Sequence, residues 1–220
     1  MPSMYETIME LPLFKGIGEE QLSLMLEKTS VEFLKFEDGD VISQADEIVS
    51  GVNFILVGRV RRTYMLDNFS LGIDEILGKG AVIGALHLYG LDTKYTATST
   101  ALGRVSIMRI SKADYMNILL SDRIYMLNFV NYLSAAAQRP RILHQNVKAA
   151  SIWRSLNTMA FTFASGAAET VMVAGDDAEI AKYCGVSIND FEDWKTAELS
   201  RNRIMVNQRG IFLKSLHLMR

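Results

Sequence analysis

At 220 residues, 49% of them hydrophobic, the chain is long enough for one large domain or two modest ones with separate cores. No apolar run approaches the roughly 18 residues that a membrane span requires, and no signal peptide opens the chain, so a cytoplasmic location is expected. The single cysteine, Cys184, allows no internal disulfide and cannot alone hold a zinc or iron–sulfur centre, while a net charge of −2 argues against indiscriminate nucleic-acid binding.

Residues 4–29 read as helical, broken by Pro12, with Leu22, Met25 and Leu26 at helical spacing in the second part. From 31 to 110 the texture changes. β-Branched and aromatic residues alternate with polar ones, as in VNFILVGRVRRTYML and RVSIMRI, and glycines punctuate the run. Short strands separated by turn glycines at roughly 8–12 residues predict an antiparallel sandwich or barrel.

From Ser111 the pattern is helical, with a new N-cap available at Ser121–Asp122. The helix beyond it carries Met126, Phe129, Leu133 and Ala136 at alternating spacings of three and four, with Val130 and Ala137 beside them. That stripe is assigned to a homodimer interface, although a buried intradomain helix would show the same pattern. Pro140 should end or kink this helix, because it removes a backbone donor and clashes with the preceding turn. A further helix over 147–163 packs Ile152, Trp153, Leu156, Met159 and Ala160.

Residues 177–219 carry the spacing of a helix-turn-helix and a small β-wing. Small Ala181 sits where two helices approach, and Gly185 falls where the chain must leave the first helix through a left-handed backbone. Ile180, Cys184, Val186, Phe191 and Trp194 take the positions facing the inter-helix core. Ser187 is placed to cap the second helix, with Asp190 three residues on. A generic amphipathic hairpin is the alternative; the full set of placements favours a pair that presents its second helix.

A β-roll, a long connecting helix and a C-terminal winged helix-turn-helix together resemble the Crp–Fnr family of bacterial transcription regulators. LPLFKGIGEEQLSLML, FEDGDVISQADE and VNFILVGRVRRTY are similar to the lead-in helices and glycine-turned strands of cyclic-nucleotide-binding domains. NRIMVNQRGIFLKSLHLM resembles the family's wing and the leucine-rich terminal helix after it. The resemblance spans nearly the whole chain. It implies an α+β fold: an N-terminal antiparallel, jelly-roll-like β-roll with flanking helices, the long helix and the winged unit. The segments expected are a sensor domain at 1–110, connecting and dimerisation helices at 111–146, and a DNA-binding domain at 147–220.

The family's functional residues carry over poorly. Its nucleotide-binding members use a Gly-Glu pair for the ribose and an Arg-Ser/Thr-Ala for the cyclic phosphate. In GKGAVIGALHLYGLDTKYTATST, Gly84 is kept, Ala85 replaces the glutamate, and Tyr95 replaces the arginine ahead of Thr96 and Ala97. A phenol cannot replace a bidentate, charge-assisted grip on phosphate. Lys94, adjacent in sequence, would point to the opposite face of a strand. The pocket is therefore read as not built for cyclic AMP, and as either self-packed or holding an unknown effector. Ligands for an iron–sulfur cluster or haem are also missing, since neither His87 nor His144 has a local partner pattern; no cofactor and no metal are expected.

Where family members place arginines on the DNA-reading helix, this chain has Ile188 and Asp193, with Asn189, Asp190 and Glu192 between them. This acidic face would repel phosphate. Ser187, Asn189, Lys195, Arg201, Arg203 and Arg209 are the candidate contacts to double-stranded DNA, with Asn189 suited to adenine and Lys195 to a phosphate. Lys214 adds positive charge near the wing. The expected function is a dimeric DNA-binding transcription regulator with a degenerate effector pocket and no membrane partner. The alternative is a sensor or protein-interaction module of the same fold without DNA affinity. An enzyme is not expected: no nucleophile–base spacing, metal cluster or phosphate loop is present, and no residue is assigned a catalytic role.

Overall fold

The computed structural model describes residues 3–66, 70–146, 151–164 and 168–214. The chain forms two compact units, one of Met1–Val60 with Gly78–Ala137, the other of Arg61–Leu77 with Gln138–Arg220. The segments expected from sequence were consecutive. Here the hairpin at Arg61–Leu77 groups instead with the C-terminal third of the chain.

The first unit begins with α1 (Met4–Met9), whose N-cap Ser3 and Glu6 form a reciprocal capping box. Pro12 opens a short 3₁₀ turn, after which α2 (Glu19–Lys28) buries Leu22 and Met25. Strands β1 (Val31–Phe36), β2 (Val41–Ser43), the first part of β3 (Gly51–Met65), β5 (Val82–Ile83) and β6 (Thr98–Ser111) make the β-roll. β6 is flanked by β1 and β3; β2 also pairs with β6 and β5 with β3. The β1–β6 register runs antiparallel from Val31 opposite Ile110 to Phe36 opposite Val105.

Ser111 caps α3 (Lys112–Ser121). Asp122 then ends α3, and its carboxylate accepts the Ile124 N–H at 2.8 Å as α4 (Arg123–Asn146) starts, which is the division the sequence predicts. Pro140 does not end α4, which runs on to Asn146. A helix interior can absorb a proline by forgoing one backbone bond, so the stop signal is a bias and not a barrier.

In the second unit, the end of β3 neighbours β4 (Gly72–Leu77), followed by β7 (Ala168–Ala174), β9 (Gly210–Leu213) and β8 (Ile204–Asn207). β4 and β7 pair antiparallel from Gly72 opposite Ala174 to Leu77 opposite Ala168. Beside the sheet lie α5 (Ser151–Phe163), α6 (Asp177–Cys184) and α7 (Ile188–Ser200). α5 starts at Ser151; residues 147–150 of the expected helix lie outside the described residues, as does the expected terminal helix from 215. Among the described residues no helix is long and apolar enough to cross a membrane.

Candidate functional site

Gly84 lies between β5 and a short 3₁₀ turn at Ala85–His87, in a left-handed conformation with φ of +92°. A Cβ there would sit 2.8 Å from the Gly51 carbonyl oxygen, so the backbone itself demands glycine. Ala85 is buried, and its methyl offers nothing to a ribose hydroxyl. Tyr95 is half-buried beside Gly84, with its hydroxyl 3.4 Å from the Asn53 amide nitrogen that donates to it. Burial pushes the Tyr95 phenol up, against the opposing pull of the Arg109 guanidinium, so it stays neutral. Its segment is tied down by backbone bonds: the Tyr95 N–H donates to the Glu47 carbonyl at 2.9 Å, and the Asp46 N–H to the Tyr95 carbonyl at 2.8 Å.

Thr96 and Lys94 are exposed, with Lys94 in an isolated bridge to Ile48 and not in an extended strand. The positive charge felt by Tyr95 comes from Arg109 on β6, which donates to Ser50 Oγ at 2.7 Å. Motif reading missed Arg109 because strand pairing, not local spacing, brings it there. No group of three metal-binding side chains occurs among the described residues.

In the second unit the end of α6 and the start of α7 are capped at the residues expected from sequence, Gly185 and Ser187. Asp176 caps α6 by accepting the Glu179 N–H at 2.8 Å, and Gly185 ends it at φ +68°. Ser187 Oγ accepts the Asp190 N–H at 3.1 Å and donates to the Asp190 carboxylate at 2.6 Å, so its hydroxyl serves the cap of α7. Ile180, Ala181 and Phe191 are buried between the helices, while Cys184 and Val186 are half-buried. Trp194 stacks on Phe191 and meets Trp153 of α5 edge-on, each at a centroid separation of 5.5 Å. Burial pushes the Cys184 thiol up to about 11, which leaves it an inert packing group. The outward face of α7 shows Ile188, Asn189, Glu192, Asp193 and Thr196. Asn207 Oδ1 accepts the Arg209 and Gly210 N–H groups at 2.8 and 3.2 Å, closing the β8–β9 turn.

Four of the cations singled out by sequence, Lys195, Arg201, Arg203 and Arg209, are held by carboxylates of this same unit. Lys195 pairs with Asp177. Arg201 and Arg203 both pair with Glu198, which is only 2% exposed, and Arg203 also lies over the Trp153 ring. Arg209 reaches Asp74 of β4 at 2.7 Å. Asp74, 4% exposed, also accepts the Thr63 hydroxyl at 2.7 Å. The neighbouring pair of Arg62 and Glu75, 3.1 Å apart, is buried deeper still. Sequence spacing missed these buried carboxylates of β4, because their partners lie on β3 and beyond β8. Lys214 hydrogen-bonds to Asn202. The side chains of Arg201, Arg203 and Arg209 nonetheless remain 60%, 46% and 48% exposed.

Burial works against the Glu198 charge, but its hydrogen bonds, chiefly from Arg203, hold the carboxyl below its ordinary value of 4.5. A folded value below the unfolded one means the stabilisation is full above that pH and is lost as pH falls through the folded value. Acid titration followed by fluorescence of Trp153 and Trp194, the only tryptophans, should therefore show this unit loosening below pH 4.5. Glu198→Gln should flatten that limb; an unchanged acid limb would count against the pairing.

On α4 the expected interface stripe divides. Phe129 is buried in the first unit's core, edge-on to Tyr89 and Tyr115 at 6.0 and 5.7 Å. Met126 and Leu133 are partly buried against the same core, and Ala136 is half-buried. Phe129 is thus corrected from a seam residue to a core residue, since a three-four spacing cannot tell an intradomain face from an intersubunit one. Among the described residues, the large apolar side chains that α4 exposes are Leu127 and Val130.

Residues 33–122 match the cyclic nucleotide-binding domain family. No curated protein matches the chain. The sensor domain of the transcriptional regulator DNR from Pseudomonas aeruginosa is similar at 18% identity and a TM-score of 0.52, over 66% of this chain and 93% of that one. The catabolite activator protein of Thermus thermophilus aligns over 94% of this chain and 95% of its own, at 15% identity and a TM-score of 0.46. DNR from Pseudomonas aeruginosa aligns over 99% and 97%, at 15% identity and a TM-score of 0.47. Residues 33–122 are thus similar to the cyclic nucleotide-binding domain family, and the antiparallel roll with flanking helices is a fold shared with the DNR sensor domain.

Proposed function

We propose that this protein is a homodimeric, cytoplasmic transcription regulator of the Crp–Fnr type that binds double-stranded DNA and does not respond to cyclic AMP. The observation that carries this reading is the α6–α7 pair, with Gly185 and Ser187 in their expected roles, followed by the β8–β9 hairpin and flanked by three half-exposed arginines. In this reading α7 enters the major groove, β8–β9 is the wing, and the two half-sites lie about one helical turn apart. Leu127 and Val130 of α4 supply exposed apolar contacts to the second subunit beside the edges of Met126, Leu133 and Ala136.

Internal pairing need not silence the arginines. A guanidinium has five donors, and one that gives an edge to a carboxylate can turn the other to phosphate. Arg203→Ala or Arg209→Ala should weaken binding to all DNA sequences and reduce the salt slope by about one unit per lost phosphate contact. Asn189→Ala should instead relax preference at one base pair, by roughly 1–3 kcal/mol for a bidentate adenine contact. Filter-binding or anisotropy assays at several salt concentrations separate the two effects. If both Arg209→Ala and Asn189→Ala leave binding untouched, the reading fails.

One observation favours a second reading. Glu192 and Asp193 stand exposed on the outward face of α7 and form no ion pair among the described residues, which suits a protein partner better than phosphate. DNA affinity in the assays above decides between the two.

The neutral Tyr95 and the methyl of Ala85 leave neither polar anchor for a cyclic nucleotide. Calorimetric titration with cyclic AMP at physiological concentrations should give no binding heat. A dissociation constant in the low micromolar range would contradict this reading of the pocket.

A further inference from the structure

The phase of α7 is fixed from inside the second unit. Phe191 is 0% exposed with Trp194 packed on its ring, and Ser187 and Asp190 close the cap. At about 100° per residue, Ile188, Asn189, Glu192, Asp193 and Thr196 then fall on the opposite side, within one arc of about 140°. All five are exposed. The one cation of α7, Lys195, lies outside that arc and is held by Asp177. Glu192 and Asp193 form no ion pair among the described residues, so the arc presents two carboxylates and no guanidinium or ammonium.

Base edges on the floor of the major groove differ in what they offer such a face. Guanine shows only the acceptors N7 and O6, thymine an acceptor and a methyl, and cytosine the N4 amino donor. A carboxylate brought to that floor loses water and is repaid only where an amino group meets it. Opposite guanine it meets acceptors, and the contact is repulsive. Specificity is a difference of affinities, so rejection of the wrong base counts as much as attraction to the right one. We propose that Glu192 and Asp193 determine the sequence preference of α7, each selecting a cytosine in the half-site by accepting a hydrogen bond from N4 and rejecting guanine there. The proposal rests on the reading of α7 as the helix that enters the major groove. It gives the acidic side of α7 a task that phosphate repulsion does not forbid, since phosphates line the groove's rim and amino groups its floor.

The test is selection of sites from random double-stranded DNA at low salt, with the full chain and with Glu192→Ala, Asp193→Ala and Asp193→Arg. Anisotropy on the selected site and on its guanine variants follows. The unaltered chain should enrich half-sites with cytosine at two positions. Each alanine variant should lose the preference at one of them, with discrimination against guanine falling about tenfold there and the other positions unchanged. Asp193→Arg should exchange cytosine for guanine at its position, because a guanidinium takes O6 and N7 together. Both alanine variants should bind unrelated DNA at least as tightly as the unaltered chain, since each sheds a charge that phosphate repels. An enriched site without those cytosines would overturn the proposal and leave DNA binding by α7 intact. So would cytosines that persist in both alanine variants, or an Asp193→Arg variant that still selects cytosine. No enrichment of any sequence would overturn the reading of α7 itself, and the proposal with it.

Discussion

Arg62→Met should destabilise the protein by about 3–5 kcal/mol, because it leaves the Glu75 carboxylate buried without the guanidinium that faces it. Glu75 is 0% exposed and Arg62 only 13%, with 3.1 Å between them. The Tyr64 hydroxyl, which donates to the same carboxylate at 3.2 Å, can balance only part of that charge. The asymmetry of buried pairs gives the control. Removing one partner leaves an uncompensated charge, whereas replacing both with apolar residues is often neutral or stabilising. Adding Glu75→Leu to Arg62→Met should therefore recover most of the loss. Urea denaturation of the two single variants and the double variant completes the cycle. A double variant as unstable as Arg62→Met alone would show that packing around the β3–β4 hairpin, and not charge, sets the effect.

Phe129→Ala should be comparably severe, at about 3–5 kcal/mol, because it removes a core aromatic and leaves a cavity. Its ring meets Tyr89 and Tyr115, and it is 6% exposed within a single subunit. The expected signature is a lowered melting temperature at every protein concentration. Leu127→Glu with Val130→Glu should behave differently. Both residues are exposed on α4, so charges there should leave the subunit folded and disrupt association. Light scattering should report a folded monomer for that pair. If Phe129→Ala yields a folded monomer and the Leu127 and Val130 changes leave a dimer, the faces of α4 have been assigned in reverse.

The contrast on α4 shows where sequence reading runs out. Features fixed by neighbours in the chain were legible: the Gly185 turn, the Ser187 cap and the restart at Asp122 each follow from a few adjacent residues. The glycine-turned β-roll was legible for the same reason. Features fixed by distant pairing were not. Strand β7 went unanticipated although Thr170–Val173 is rich in β-formers, because its role depends on β4 and β9 lying on either side of it. The pairing of Arg209 with Asp74 spans more than half the chain, so local spacing gives no sign that this candidate DNA contact also ties the β8–β9 turn to β4. The surroundings of Tyr95 were not legible either, since its partner Asn53 and the nearby Arg109 come from other strands.

Those arginines also bear on how the second unit would work. Each sits between an internal carboxylate and solvent, so phosphate must compete with, or share, a bond already made. Affinity should then be modest and steeply salt-dependent, with α7 contributing selectivity more than strength.

Selection of binding sites from random double-stranded DNA with the purified protein at low salt tests the central claim most directly. The account predicts enrichment of a palindromic site whose half-sites lie about one helical turn apart. No enrichment of any sequence at low salt would contradict it and leave α7 as a surface for protein.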